Sequence, residues 1–208
     1  GASCLLALSI WLTIYFVQER AAGNTAEMLL TYSVPWFKPL NIAYSVGVDG
    51  ISVVMLLLSS IIVFTGTFAS WQLKPMTKEY FLWFTLLSTG VYGFFISTDL
   101  FTMFMFYEVA LIPMYLLIGV WGSGRKEYSA MKLTLMLMGG SALLILGLLG
   151  IYYFNGLYSG EYTFELTKIA AAHKIPSDIQ NVFFPFIFIG FGVLGALFPF
   201  HTWSPDGH

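Results

Sequence analysis

Residues 99–122 read DLFTMFMFYEVALIPMYLLIGVWG, and this stretch decides how the rest of the chain is read. It is long enough to cross a bilayer as a helix, which takes about 20 predominantly apolar residues. It also carries one ionisable residue near its middle, Glu108. A carboxylate in such a run is costly, so it finds a partner, holds a proton or has a task. Asp99 stands immediately before the apolar run, where a side-chain oxygen can cap the first turn. Glu108 lies nine residues beyond Asp99, about 13 Å along a helix axis and thus near the bilayer midplane. Pro113, five residues further on, takes one backbone donor out of the same helix and frees a carbonyl beside the acid.

The whole chain has the same character. Of its 208 residues 58% are hydrophobic and 10% charged, whereas a soluble domain carries about 25% charged residues. There is too little charge to cover a water-facing surface, so the composition excludes an ordinary soluble domain and indicates an integral membrane protein. The single cysteine, Cys4, allows no internal disulfide and supplies no metal motif. The sequence shows no phosphate-binding glycine loop, no CxxC pair and no aromatic–basic patch for nucleic acid, and so no cofactor or metal site within this chain. Residues 1–17 read as a membrane span rather than a signal peptide, and both ends read as edges of a longer chain.

Six spans are expected: 1–17, 47–71, 80–98, 100–121, 128–154 and 182–203. A helix satisfies its own backbone polar groups in lipid, and the short alternating segments of a transmembrane barrel are missing. The expected fold is therefore an all-α, polytopic transmembrane helix bundle forming a single transmembrane domain. Two connections are long. In 18–46, the segments YSVPWF and NIAYSVGV read as strands of a surface hairpin. In 155–181, a short interfacial helix fits the mixture of charged and apolar residues. The connections 71–79 and 122–127 are short and basic, with Lys74, Lys78, Arg125 and Lys126, which places them on the cytoplasmic side.

Other residues accompany Glu108 as candidates. Lys132 lies about one turn inside the fifth span. It either snorkels back to the interface or places a positive charge beside Glu108 on the adjacent helix. A carboxyl in a dry site holds its proton toward neutral pH, and a nearby cation opposes that. The closing FPFHTWSPDGH sets Pro199 and Pro205 around His201, Thr202 and Trp203. Prolines and polar groups at membrane depth indicate a discontinuous helix lining a wet cavity, broken near Pro199. Imidazoles such as those of His201 and His208 exchange protons near neutral pH. Asp49, at the start of the second span, reads as a cap or an interfacial anchor, and the small residues Gly139, Gly140, Ser141 and Ala142 as a place where helices approach closely.

Taken together, DLFTMFMFYEVALIPMYLLIGVWG, SAMKLTLMLMGGS, VGVDGIS and FPFHTWSPDGH resemble the M-chain family of antiporter-like subunits of NADH–quinone oxidoreductase, respiratory complex I. That family includes the counterpart of mitochondrial subunit 4 and is similar to subunits of multi-subunit sodium/proton antiporters. The resemblance implies an inverted-repeat helix bundle, here its N-terminal half with a broken last helix, and a role in proton translocation. It makes Glu108 the essential glutamate, sets Lys132 at the lysine of the following helix, and places His201 and His208 in the family's HTWLPDAH motif. Ser204 and Gly207 replace Leu and Ala there, and Leu194 stands where the family carries a lysine. It further implies that FMN, iron–sulfur clusters, NADH and quinone belong to partner subunits, and that the partners are flanking antiporter-like chains in a bacterial inner membrane. The alternative reading is a subunit of a non-redox, Mrp-type sodium/proton antiporter.

Overall fold

Each apolar run folds into a helix with an identifiable start or stop. The structure is a computed structural model that describes residues 1–74 and 76–207; His208, one of the candidate relay groups, lies outside the described residues. In chain order the elements are α1 (Ala2–Ala21), β1 (Leu29–Phe37), β2 (Ile42–Val48), α2 (Gly50–Ala69), α3 (Thr77–Ile96), α4 (Leu100–Trp121), α5 (Lys126–Ser159), α6 (Leu166–Ala172), α7 (Ser177–Leu194) and α8 (Trp203–Gly207), with a 3-10 turn at Lys38–Leu40 between the strands. Five of the helices (α1, α2, α4, α5 and α7) are long and apolar enough to cross a membrane. The remaining expected span is α3, whose 20 residues begin with the polar Thr77, Lys78 and Glu79.

Asp49 and Asp99 both act as N-caps. The Asp49 carboxylate accepts the Ser52 backbone N–H at 2.7 Å, and that of Asp99 accepts the Thr102 backbone N–H at 3.0 Å. The helices pack in sequence order: α1 on α2, α2 on α3, α3 on α4, α4 on α5, and α5 on both α7 and α8. Between α5 and α7 the backbones come close. A Cβ added at Gly190 would stand 3.0 Å from the Gly140 carbonyl oxygen and 2.7 Å from Leu144 Cβ, so the small residue is required by the approach. At 34 residues, α5 is about 51 Å long and overruns a hydrocarbon layer of about 30 Å; the expected span 128–154 is extended at both ends.

The hairpin and the interfacial helix both form, and they lock one end of the bundle. The connection 97–99 is held from two sides. Thr98 donates its N–H to the Ser45 carbonyl of β2 at 2.9 Å, and its own carbonyl accepts from Leu166 N–H at 3.0 Å. Leu100 N–H donates to the Phe164 carbonyl at 2.9 Å. Phe164 is buried in one core cluster with Ile42, Leu100, Leu144 and Leu148 and stacks on Tyr152 with ring centroids 4.2 Å apart. α4 therefore starts from a fixed point, and Glu108 hangs from that point.

The expected span 182–203 is discontinuous, but the break precedes Pro199. α7 stops at Leu194 because Ala196 adopts a left-handed conformation, φ 53°. Ala196 N–H then donates to the Val193 carbonyl at 3.2 Å and Leu197 N–H to the Gly192 carbonyl at 2.8 Å. This pair of bonds is the Schellman motif, which satisfies carbonyls that the helix ladder leaves open. Gly192 leaves room for Leu197 to fold against it, with Leu197 Cδ2 3.1 Å from where a Cβ would sit. Pro199, three residues past Ala196, keeps the helix from resuming rather than ending it.

An L-residue in this conformation costs about 1–2 kcal/mol, and a β-branched side chain makes it worse. Ala196→Val should therefore lower the melting temperature of the purified protein, whereas Ala196→Gly should keep or raise it. An Ala196→Val protein that melts with the parent would show that the left-handed residue does not hold the break.

Candidate functional site

Glu108 sits on the side of α4 that faces α5. Its Oε1 is buried and has no hydrogen-bond partner. The side chain lines a cavity of about 410 Å³ between the two helices, together with Met105, Val109 and Ile112 from α4 and Thr134 and Met138 from α5. Tyr115 adds a phenol to the lining, and the Thr134 hydroxyl donates to the Ala130 carbonyl at 2.8 Å. Pro113 is buried inside α4, and its missing N–H removes the donor that would ordinarily bond the Val109 carbonyl four residues earlier. The acid thus shares an apolar cavity with two hydroxyls, next to a weakened point in its own helix.

Lys132 is not at that cavity. Among the described residues the ion pairs are Lys132–Asp206 and those of Lys168 with Glu161 and Glu165; Glu108 is in none of them. Lys132 Nζ meets Asp206 Oδ2 at 2.5 Å. The reason is helical geometry. At about 100° per residue, Lys132 and Thr134 point roughly 200° apart around α5, so the helix that presents Thr134 to Glu108 turns Lys132 toward α8. The expected Glu108–Lys132 pairing is corrected accordingly, and simple snorkelling is replaced by a specific partner.

His201 lies exposed in the segment between α7 and α8, its ring 5.5 Å from that of Phe198. It is not among the residues lining the Glu108 cavity. Leu194 is the last residue of α7 and is exposed. Two residues with no assigned role in the sequence reading prove central to the break. Trp203 is buried and donates its indole N–H to the Val193 carbonyl at 2.9 Å, the same oxygen that takes the Ala196 N–H. Asp206 supplies the charge for Lys132. An acid following a break was visible in SPDG, but which lysine it meets depends on tertiary packing.

Asp99 is 1% exposed, and its Oδ2 has no partner. Burial pushes its carboxyl above the ordinary aspartate range, and the Thr102 N–H holds it partly back. Among the described residues no three His, Cys, Asp or Glu side chains gather into a group that could hold a metal ion.

Residues 97–208, which contain α4, the Glu108 cavity and the broken helix, match the family model described as NADH:quinone oxidoreductase/Mrp antiporter, TM. The chain belongs to that family. It is 35% identical over 204 residues to NADH-quinone oxidoreductase subunit M of Rickettsia typhi, covering 97% of this chain and 40% of that one. The chain thus spans about 40% of the length of that curated relative. In fold it is similar to a chain of respiratory complex I from Thermus thermophilus with bound NADH, with a TM-score of 0.84 at 23% identity, over 100% of this chain and 41% of that one. It is also similar to a chain of the Mrp complex from Dietzia sp. DQ12-45-1b, with a TM-score of 0.76 at 21% identity, over 99% and 36% of the two chains. The chain shares its mostly helical, polytopic fold with these neighbours over nearly its whole length, and it is an integral membrane protein.

The raised Asp99 carboxyl carries a sign that can be tested. A folded-state value above the unfolded one stabilises the fold at pH below the unfolded range, about 3.9, and that contribution is lost as pH rises through the folded value. Asp99→Asn keeps an N-cap of similar quality and has no carboxyl to ionise. It should be at least as stable as the parent at neutral pH, and its stability should depend less on pH above 4. Asp99→Ala loses the cap and should cost about 1 kcal/mol. Thermal melts from pH 4 to 8 separate these outcomes, and an Asp99→Asn variant that loses stability most at neutral pH would contradict the burial argument.

Proposed function

We propose that this chain is a proton-translocating, antiporter-like membrane subunit of an NADH:quinone oxidoreductase of the complex I type, and that Glu108 is the group that binds and releases the proton. The observation that carries the proposal is the unpartnered, buried Glu108 oxygen facing a cavity between α4 and α5, in a chain whose relatives bear that subunit name. An intramembrane carboxyl with no ion pair exchanges charge with whatever enters its cavity. The cavity volume leaves room for several waters, and Glu108, Tyr115 and Thr134 offer polar partners to hold them.

The redox chemistry belongs to other subunits in this reading. FMN, iron–sulfur clusters, NADH and quinone would reside there, and flanking antiporter-like chains would adjoin this one in a bacterial inner membrane. The basic connections 71–79 and 122–127 would face the cytoplasm, and the hairpin and α6 the opposite side. Glu108 would be the proton site on α4. Lys132 would supply the modulating charge from the far face of α5, and His201, with His208 after it, would form later stations beyond the break. Pro113, Pro199 and Asp99 are structural in this reading.

The second reading, a subunit of a non-redox Mrp-type sodium/proton antiporter, is favoured by the fold similarity to the Mrp complex. Co-purification separates the two, since a complex I subunit comes down with peripheral flavin and iron–sulfur proteins and an Mrp subunit does not.

Glu108→Gln keeps the side chain's shape and removes its proton. In membrane vesicles carrying the assembled complex it should suppress NADH-driven proton uptake through this subunit, since loss of a general acid–base group slows its proton-transfer step by about 10²–10⁴-fold. Assembly, read from native gels, should stay near the parent level. Normal pumping by this variant would end the relay proposal.

His201→Ala provides a separate check. As a later station, the histidine should matter to the proton flux and leave assembly intact. Pumping at the parent rate would remove His201 from the route without touching Glu108.

A further inference from the structure

The ion pair between Lys132 and Asp206 joins two pieces of chain that the break in α7 would otherwise leave loosely connected. Asp206 lies in α8, five residues long and separated from α7 by residues 195–202. So short a helix has little stability of its own, and its position depends on what ties it down. Among the described residues, contacts at Trp203, at Asp206 and at the preceding Thr202 do so. Trp203 is bonded to the Val193 carbonyl and buried with Leu111, Leu133, Leu137 and Val193. The Thr202 hydroxyl is 3.8 Å from Met136 Sδ. Lys132 is bonded to Asp206. Lys132 and Met136 are one turn apart on α5, so two of the three contacts line up along one face of that helix.

We infer that Asp206 is a positioning residue whose ion pair with Lys132 latches α8 onto α5, setting the packing of the cluster that separates the break from the Glu108 helix. This inference rests on the proposed role of Glu108. The physical connection is short. Leu133 and Leu137 share one buried cluster with Trp203 and Val193 of the break and with Leu111 of α4, which is three residues from Glu108 and lines its cavity. Tyr107, the neighbour of Glu108, adds a contact, its hydroxyl reaching the Leu137 carbonyl at 3.4 Å. When Lys132 leaves Asp206, α8 loses its charged tether and the cluster loses one wall. A packed cluster of this kind has discrete arrangements rather than a continuum, so release of the latch changes the cavity in which Glu108 takes up and gives off its proton.

The test uses the assembled complex in membrane vesicles and two readouts. The first is geometric. Cysteines placed by Met136→Cys and Thr202→Cys report the α5–α8 contact through the yield of an oxidant-induced disulfide, and neither residue is assigned a part in proton transfer. Adding Asp206→Asn or Lys132→Gln should lower that yield severalfold, and the exchange Lys132→Asp with Asp206→Lys should restore it. The second readout is the number of protons pumped per NADH oxidised, measured on complexes that native gels show to contain this chain at the parent level. Each single variant should lower the ratio by about threefold, and the exchange should recover roughly half or more of the parent value. An unchanged disulfide yield in Asp206→Asn, an unchanged proton ratio, or an exchange no better than the single variants would each overturn the latch. Failure of the Glu108 proposal looks different: Glu108→Gln pumps normally while the disulfide yield still depends on Asp206.

Discussion

A helix broken at the edge of an apolar bundle must find partners for the backbone groups it frees, and that constraint organises this part of the molecule. α7 ends where Ala196 turns left-handed, and the freed carbonyls of Gly192 and Val193 accept from Leu197 and Ala196. The Val193 carbonyl takes a second bond from Trp203, and the following turn is held by Phe200 N–H to the Leu197 carbonyl and Ser204 N–H to the His201 carbonyl. An unsatisfied backbone group away from water costs several kcal/mol, so these bonds are what make the discontinuity permissible. Trp203 both covers the break with an apolar ring and supplies a donor to it, a combination that an indole offers and Phe or Leu does not. Its burial then requires the Leu133–Leu137 face of α5, and α5 in turn requires glycine at 190 to let α7 approach.

α4 meets the same constraint in a milder form. Pro113 removes one donor and leaves the helix otherwise continuous from Leu100 to Trp121. The vulnerable point therefore lies one residue beyond Glu108, at the Val109 carbonyl, and the acid and the open carbonyl share a cavity edge. At the other end, α4 is anchored by Asp99 and by strand-like bonds to β2 and to the segment before α6. A fixed base with a weakened middle localises any adjustment of α4 near Glu108, which is where a proton site needs adaptable packing.

Much of this was legible in residues, and the limits have physical causes. Helix existence followed from apolar run length, and the caps at Asp49 and Asp99 from side-chain oxygens placed before those runs. The hairpin followed from β-branched and aromatic residues bounded by turn formers. The break was legible in composition but misplaced, because Pro199 was visible as a helix breaker. Ala196 carries no mark of a left-handed residue, which Gly or Asn would have given. The pairing of Lys132 was illegible for a different reason. Sequence spacing gives the face a residue occupies on its own helix, but not which neighbour packs on that face, and Lys132 turned out to face α8 rather than α4. An acid in a Ser-Pro-Asp-Gly stretch ordinarily reads as turn chemistry, which masks Asp206 as the partner of Lys132.

The separation of Lys132 from Glu108 changes how the two charges can influence one another. Direct contact would couple them electrostatically and fix both protonation states together. With Lys132 bonded to Asp206 instead, its charge acts on Glu108 across α5 without direct contact, so proton uptake at Glu108 need not coincide with a charge change at Lys132. Leu194, at the end of α7, brings no charge to the break, and the cation there arrives from α5 through Asp206. A lysine on α7 would be rigidly attached to one side of the discontinuity. A lysine on α5 bonded to α8 instead bridges it, and its attachment holds only while the short helix stays in place. Here the position of the charge and the state of the break are one variable.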